Sequence, residues 1–221
     1  MQINLANTRL FRGMEPSDIE EMLGCLHAKE HVFQKGEIIF PEGVATEQIG
    51  VVLSGRVIIE MGDVWGNNSV LSSIGPGETF AETYAFCRAP LMVDAVSARE
   101  SEVLFLDLDV VQDCPVCSGQ WAGTIQSNLL KVFARKNLTL SQRIFCTSAK
   151  TIRGRLLTYL SAQAVQHSSS SFEIPFNRQQ LADYLNLDRS ALSKELGRMR
   201  QEGLLEFQKN RFTLYADPLE F

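Results

Sequence analysis

This 221-residue sequence contains no run of about 18 apolar residues, so no segment is predicted to cross a bilayer as a helix. Its opening residues, MQINLANTRLF, lack the basic and then apolar plan of a secretory signal, and we expect a cytoplasmic protein. The five cysteines are an odd number. Without an export signal they predict reduced thiols and not a disulfide framework.

Motifs that carry catalysis are also missing. The sequence has no P-loop, no nucleophile elbow and no cluster of metal ligands, and its three histidines are scattered. We therefore predict no catalytic residues, no metal site and no required cofactor, and an enzyme is not expected. No internal repeat is evident, and the length predicts about two domains.

The charge is distributed unevenly. The formal net charge is −5, yet residues 148–221 hold 10 basic and 8 acidic side chains, against 11 and 18 in residues 1–147. A basic excess this small is a weak electrostatic footprint for nucleic acid. Phosphate affinity would have to come from a few placed residues and from dimerisation.

The segment from Asn177 to Tyr215 predicts two short helices, a tight turn and a basic hairpin. Asn177 can cap the first helix while Gln180, three residues on, reaches back to the capping backbone. Asn186 tolerates the left-handed backbone that a sharp turn requires, and Asp188 can cap the second helix. This spacing is typical of a helix-turn-helix.

The second helix has two distinct faces. Leu192, Leu196 and Met199 repeat at i, i+4 and i+7 and should face the protein. The outer face then carries Ser190, Lys194, Gly197 and Gln201, and it is flanked by Ser193 and Arg198. Hydrogen-bonding groups on the N-terminal half of such a helix meet DNA bases, and Gly197 removes bulk where a DNA backbone would pass. A solvated polar face is the simpler alternative for these side chains taken alone.

A hairpin follows Gly203, because the alternating runs LLEF and RFTLY flank Gln208, Lys209 and Asn210. We predict a wing whose Lys209 and Arg211 contact phosphates. A plain edge hairpin is the alternative.

The N-terminal half has a different residue pattern. A short amphipathic helix is predicted from Met14 to Leu26, with Pro16 in its first turn. Glycine-punctuated strands follow and indicate a small β-barrel or jelly roll that can hold a small ligand. The predicted strands are 32–33, 37–40, 48–53, 56–61, 69–74 and 103–108.

A long helix is predicted from Ser118 to Phe145, and another from Lys150 to Gln166, before a polar loop at 167–171. The long helix carries an apolar stripe at spacings of three and four, which predicts a two-stranded dimer seam. A helix packed on its own barrel is the alternative. The stripe comprises Trp121, Ile125, Leu129, Val132, Phe133, Leu140 and Ile144.

The order of these parts resembles the Crp/Fnr superfamily of bacterial transcription regulators. The resemblance covers nearly the whole chain and is carried by FPEG (40–43), VVLSGRVII (51–59), GPGETFAETYAF (75–86), KTIRGRLLTYL (150–160) and FNRQQLADYLNLDRSALSKELGRMRQEGLL (176–205). It implies an α+β fold: a β-roll sensor of the double-stranded β-helix (jelly-roll) type at 1–117, a dimerisation helix at 118–147 and a winged helix-turn-helix at 148–221. It also implies a homodimer on a two-fold symmetric double-stranded DNA operator, with RNA polymerase as a partner if the protein activates.

The resemblance places the effector in the roll, near Glu82, Thr83, Met92 and Val93. Members that bind cyclic AMP have a glutamate that meets the ribose, which Glu82 matches, and an arginine-serine pair that meets the phosphate. Met92 and Val93 stand at the place of that pair and offer neither a guanidinium nor a hydroxyl. We therefore expect an unidentified small effector that is not cyclic AMP. The alternative for Glu82 is a carboxylate satisfied by backbone amides.

The cysteines do not match the oxygen-sensing members, which carry a cysteine-rich N-terminal extension, since only Cys25 precedes residue 87. Cys114 and Cys117 form a C-x-x-C, and a thiol-based redox switch there is an alternative form of control. Metal binding with His27 or His31, and ordinary unreactive cysteines, are the other readings.

By the same resemblance, the base contacts of the second helix, the recognition helix, are Arg189, Ser190, Ser193 and Lys194. We predict Arg178, Lys209 and Arg211 as phosphate contacts. Ser190 stands where many members have a glutamate that accepts from cytosine, so we expect a different half-site. A function of another class stays open, namely an effector-binding adaptor whose winged helix mediates protein contacts.

Overall fold

In a computed structural model of the chain, the strands of the N-terminal half are formed by segments in which apolar residues alternate with polar ones. The structure describes residues 4–62, 68–108 and 121–215. The chain divides into two units, Met1–Ala134 and Arg135–Phe221. The boundary between them falls inside the long helix.

The first unit combines a sheet with two short helices. After a 3-10 turn at Leu5–Asn7, its elements are α1 (Pro16–Cys25), β1 (Lys29–Phe33), β2 (Ile38–Phe40), β3 (Gln48–Gly62), β4 (Asn68–Ile74), β5 (Thr79–Phe80), α2 (Glu82–Cys87) and β6 (Asp94–Asp107). The antiparallel strands run in the order β1-β6-β3-β4, with β2 paired to β6 and β5 paired to β3. The mixed α+β class is therefore confirmed.

Strand β3 is buried on both faces. Ile49, Val51 and Leu53 pack into one hydrophobic core together with α1, whereas Val52 and Val57 pack into a second core with Phe80 and Phe105. Successive side chains of a strand point to opposite faces, so β3 separates the two cores.

Two strands predicted at 48–53 and 56–61 are one continuous strand. Gly55 lies between them at φ +85°, and the backbone N–H of Arg56 donates to the hydroxyl of Ser101. A side chain at Gly55 would collide with Ser101 and Glu100. This glycine therefore marks an irregularity in the β3–β6 ladder and not a turn.

The first half of β6 was missed by the prediction, which began that strand at residue 103. Residues 94–102, which include the polar run SARESE, form this half and pair with β3 from Ser54 to Glu60. Ser97 and Ser101 are buried there because their hydroxyls donate to backbone carbonyls. The two-residue strand β5 and the helix α2 were not predicted either.

The second unit contains the rest of the chain. It begins within the long helix α3, which spans Trp121–Ser148. The elements that follow are α4 (Ile152–His167), β7 (Ser171–Glu173), α5 (Arg178–Tyr184), α6 (Arg189–Gln201), β8 (Leu205–Gln208) and β9 (Arg211–Leu214). The strands form a small antiparallel sheet in the order β7-β9-β8. Side chains of α4, α5, α6 and the sheet form one hydrophobic core, in which Cys146 of α3 is fully buried.

Most of the apolar stripe on α3 packs against residues of its own chain. Trp121, Ile125 and Leu129 lie in the core of the first unit with residues of α1 and β3, and Phe133 packs against that core. Val132 is buried as well. Trp121, Ile125, Leu129 and Val132 are therefore covered by their own chain, and the dimer seam along this stripe stays a prediction. The spacing was right, but spacing does not identify the surface on which a helix packs.

Candidate nucleic-acid interface

Helix α5 begins with the predicted capping box. The side-chain oxygen of Asn177 accepts from the Gln180 backbone N–H at 2.9 Å, and the Gln180 side chain accepts from the Asn177 N–H at 2.9 Å. The turn that follows contains Asn186 at φ +52°, as its position predicted. The two caps and the left-handed residue together fix a tight connection between α5 and α6.

The two faces of α6 are clearly separated. Leu192, Leu196 and Met199 have no exposed surface. The other side of the helix presents Arg189, Ser190, Ser193 and Lys194, all of them exposed. Gly197 lies on this outer side, and a β-carbon added there would meet no protein atom within 4 Å.

Ser190 is also part of the helix cap. Its hydroxyl donates to the carboxylate of Asp188, which accepts from the Ala191 N–H at 2.9 Å as well. These bonds, the Ser190 bond first, lower the pKa of Asp188. The Ser190 hydroxyl proton is therefore engaged within the helix cap, which the D-x-S spacing of the sequence could have suggested.

Arg178 has a less open position than a simple phosphate contact. Its guanidinium carbon lies 4.8 Å from the ring centre of Phe207 and 5.0 Å from that of Phe212. Burial lowers the pKa of Arg178. Arg200, near the end of α6, covers the Phe207 ring at 5.1 Å. Arg178 and Arg200 therefore both stack on the wing, which is the hairpin of β8 and β9.

The tip of the wing carries the other predicted cations. Lys209 occupies the turn at φ +55°, and both Lys209 and Arg211 are exposed. A cleft of about 760 Å³ brings together Arg178, Arg189 and Lys209. Arg211 is not among the residues that line it. The start of α6 and the tip of the wing thus share a basic, open cleft.

The predicted effector residues lie around α2 in the first unit. Glu82 is buried, whereas Thr83 is exposed and Met92 is 71% exposed. Val93 is partly buried. Ala81, just before the helix, has the left-handed φ of +64°. Phe86 of α2 packs edge-on against Phe133 of α3, with ring centres 5.6 Å apart.

Two family models match the chain. The cyclic nucleotide-binding domain matches residues 30–114, and the Crp-like helix-turn-helix domain matches residues 154–216. The chain belongs to the Crp/Fnr superfamily. With both domains, this chain is a CRP-like transcription regulator with a DNA-binding helix-turn-helix.

Curated relatives of this Crp/Fnr protein match nearly their whole length. The CRP-like cAMP-activated global transcriptional regulator of Mycobacterium tuberculosis is 23% identical over 212 residues, covering 92% of this chain and 91% of the relative. The cyclic AMP receptor protein of Thermus thermophilus is 23% identical over 200 residues, covering 89% and 87%.

Solved structures share the fold. CprK in complex with OCPA superposes with a TM-score of 0.66 at 12% identity and covers 89% of this chain and 90% of its own. The c-di-GMP-responsive regulator CLP of Xanthomonas campestris has a TM-score of 0.59 at 17% identity and covers 92% and 100%. These likenesses establish the architecture of the Crp/Fnr fold for this chain.

Other predicted sites have different outcomes. Cys114 and Cys117 lie outside the residues that the structure describes. Within residues 4–62, 68–108 and 121–215, no group of three His, Cys, Asp or Glu side chains could hold a metal ion. Across the same ranges, no helix is both long and apolar enough to span a membrane.

An ion-pair network behind the recognition helix had no recognisable signal in the sequence. Arg153 of α4 binds both carboxylate oxygens of Glu202 at 2.8 Å and one oxygen of Glu195 at 2.7 Å. The hydrogen bond from Arg153 lowers the pKa of Glu202. This paired geometry joins α4 to the C-terminal half of α6.

Proposed function

We propose that this Crp/Fnr protein is a sequence-specific regulator that binds a palindromic operator as a homodimer. The observation that carries the proposal is the division of α6, with a fully buried apolar face and an exposed face bearing Arg189, Ser193 and Lys194. Because its apolar face is packed in the core, α6 presents its outer side chains in one orientation, which base recognition requires.

Among the outer side chains, Lys194 is proposed as the main base contact, donating to guanine O6 and N7. Replacing it with Ala should cost about 1 to 3 kcal/mol and relax the preference at one base pair. Fluorescence anisotropy with single-base operator variants tests this assignment. Undiminished binding by Lys194→Ala would remove it.

The basic cleft supports the phosphate contacts. Lys209 and Arg211 on the wing and Arg189 at the start of α6 are free to reach the DNA backbone. Arg178 lines the same cleft and adds its charge there while it stacks on the wing. Ser190 contributes its hydroxyl oxygen as an acceptor, because its proton is bound to Asp188.

For the dimer, we propose the face of α3 opposite Trp121 and Ile125. At about 100° per residue, the four charged side chains of the helix avoid the line through Leu130, Ala134, Asn137 and Ser141. Along and beside this line the large apolar residues are well exposed: Leu130, Leu138, Leu140, Ile144 and Phe145. Of the predicted seam residues, only Leu140 and Ile144 belong to this face.

We propose that α3 of a second copy of the chain packs against this surface. An uncharged stripe with apolar residues at spacings of three and four, and a single asparagine, is the pattern of a two-stranded coil in which the asparagine sets the register. Sedimentation equilibrium should give a dimer for the wild type and a monomer for Leu138→Glu. Thr139→Glu is the control, because Thr139 is also uncharged and exposed but lies on the opposite side of the helix, about 180° from Leu130.

In the β-roll, we propose a small effector other than cyclic AMP. The curated relatives named above are cAMP-activated or cyclic AMP receptors. In this chain the exposed thioether of Met92 and the side chain of Val93 supply no partner for a cyclic phosphate. Isothermal titration with cyclic AMP should show no binding at micromolar concentrations. Micromolar binding would overturn the exclusion.

The proposed mechanism is allosteric. An effector beside α2 changes the position of α3, and α3 changes the separation of two recognition helices that must match half-sites one turn of DNA, ~34 Å, apart. The Phe86–Phe133 contact joins the effector helix to α3 and supports this route. The protein would act in the cytoplasm, with RNA polymerase as a partner at activated promoters.

Selection of operators from random duplex DNA by the purified protein tests the function as a whole. Enrichment of a two-fold symmetric sequence supports a regulator. Failure to enrich any sequence would favour the adaptor function, in which the winged helix contacts proteins.

A further inference from the structure

Two arginines from different helices bind the C-terminal end of α5. The Nε of Arg143 on α3 donates to the carbonyl of Tyr184 at 3.2 Å, and its Nη2 donates to that of Asp183 at 3.3 Å. The Nη1 of Arg155 on α4 donates to the carbonyls of Leu185 at 3.1 Å and Asn186 at 3.0 Å. Four consecutive carbonyls, from residue 183 to residue 186, therefore accept from guanidinium groups.

These carbonyls are where a cation acts most strongly. The last carbonyls of a helix lack intrahelical partners and carry the negative end of the helix dipole. The same four residues lead directly into the turn at Leu187 and the Asp188 cap of α6. The position of the recognition helix therefore depends on where these carbonyls are held.

The arginines also connect this turn to the long helix. Arg143 precedes Ile144 and Phe145, which belong to the proposed dimer face, and its guanidinium lies 5.6 Å from the ring centre of Tyr184. Arg155 additionally donates from Nε to the carbonyl of Ala149, in the connection between α3 and α4, at 2.9 Å. Cys146 of α3 is buried in the same core as Leu185.

We infer that Arg143 and Arg155 are positioning residues that transmit the movement of α3 to the recognition helix. The inference rests on the proposed function, since it gives α3 and α6 their roles. Hydrogen bonds near 3.2 Å do not survive a displacement of one residue along a helix, about 1.5 Å, unless the acceptor moves too. A shift of α3 therefore carries the end of α5 and the start of α6 with it.

The test compares Arg143→Gln and Arg155→Lys with Arg135→Gln. Arg135 is an exposed arginine of the same helix, so Arg135→Gln removes the same charge without touching the carbonyls. Anisotropy measures the affinity of each full-length variant for a duplex selected by the wild type and for a random duplex of equal length. Arg155→Lys keeps the charge and removes the forked geometry.

A positioning role predicts about a tenfold loss of affinity for the selected duplex in each variant, with binding to the random duplex within about twofold of Arg135→Gln or wild type. A purely structural role would lower the unfolding temperature and weaken both duplexes together. Equal losses on both duplexes, or none, would overturn the inference. If Arg143→Gln does not fold, Arg143→Lys decides in its place by the same ratio. If the wild type selects no sequence at all, the proposed function fails, which is a different result.

Discussion

The guanidinium of Arg178 lies 4.8 Å from the ring centre of Phe207, so the first residue of α5 is stacked on the first strand of the wing. Arg200 covers the same ring from the end of α6 at 5.1 Å. Phe207 therefore joins the wing to both helices of the helix-turn-helix. This arrangement separates two contributions that a basic residue can make to DNA binding, namely its charge and its packing.

Arg178→Lys should separate these contributions, because lysine keeps the charge and loses the planar stack. We expect the free energy of unfolding to fall by about 0.5 to 1 kcal/mol and DNA binding to weaken with little change in its salt dependence. Arg211→Ala is the comparison, since Arg211 is exposed and its loss should lower the salt slope by about one. Urea unfolding and anisotropy over a salt series measure both quantities. A lower slope for Arg178→Lys would contradict this view.

Gly197→Ala should make α6 more stable and DNA binding weaker. Alanine favours a helix interior by about 1 kcal/mol over glycine, and the added β-carbon meets no protein atom within 4 Å. If a DNA backbone passes here, the methyl group will obstruct it. Gly24→Ala in α1 is the control, because its β-carbon also meets open space. Equal operator affinity for Gly197→Ala and wild type would show that DNA does not approach this position.

The ion pair of Glu202 should make stability depend on acid pH. Its pKa is lowered from the ordinary 4.5 by the hydrogen bond from Arg153. A carboxyl with a lowered folded pKa contributes stability that is fully present above its unfolded pKa and is lost as the pH falls through the folded value. The difference in unfolding free energy between wild type and Glu202→Gln should therefore shrink below about pH 4.5. A difference that stays constant down to about pH 3 would contradict the prediction.

Asn177→Ala should destabilise the second unit by about 1 kcal/mol, because it removes one half of the capping box at the start of α5. Asn177→Asp keeps an acceptor at the same place and should retain most of the stability. Thermal unfolding of both variants measures the effect. Equal loss in the two variants would show that the backbone, and not the cap, determines the start of this helix.

The features that could be predicted from the sequence are those that depend on residues close together in the chain. The capping box of Asn177, the left-handed Asn186 and the buried positions Leu192 and Leu196 each depend on residues within one or two turns. The helix-turn-helix follows from them. Their agreement with the structure reflects short-range hydrogen bonds and helical periodicity.

Long-range pairings carried no comparable signal. Arg143 and Arg155 lie 30 to 41 residues away from the carbonyls that they bind, and nothing in their neighbourhood marks those partners. Likewise, the stripe through Trp121 and Ile125 showed that α3 has an apolar face but not what covers it. The surfaces that compete for such a face are known only once the chain is folded.

Selection from random duplex DNA by the full-length protein decides whether two copies of α6 read a symmetric operator. If they do, the selection enriches an inverted repeat whose half-sites are centred ~34 Å apart, and Lys194→Ala loses preference at one base pair of each half. Enrichment of no sequence, or of a single unpaired half-site, would contradict it.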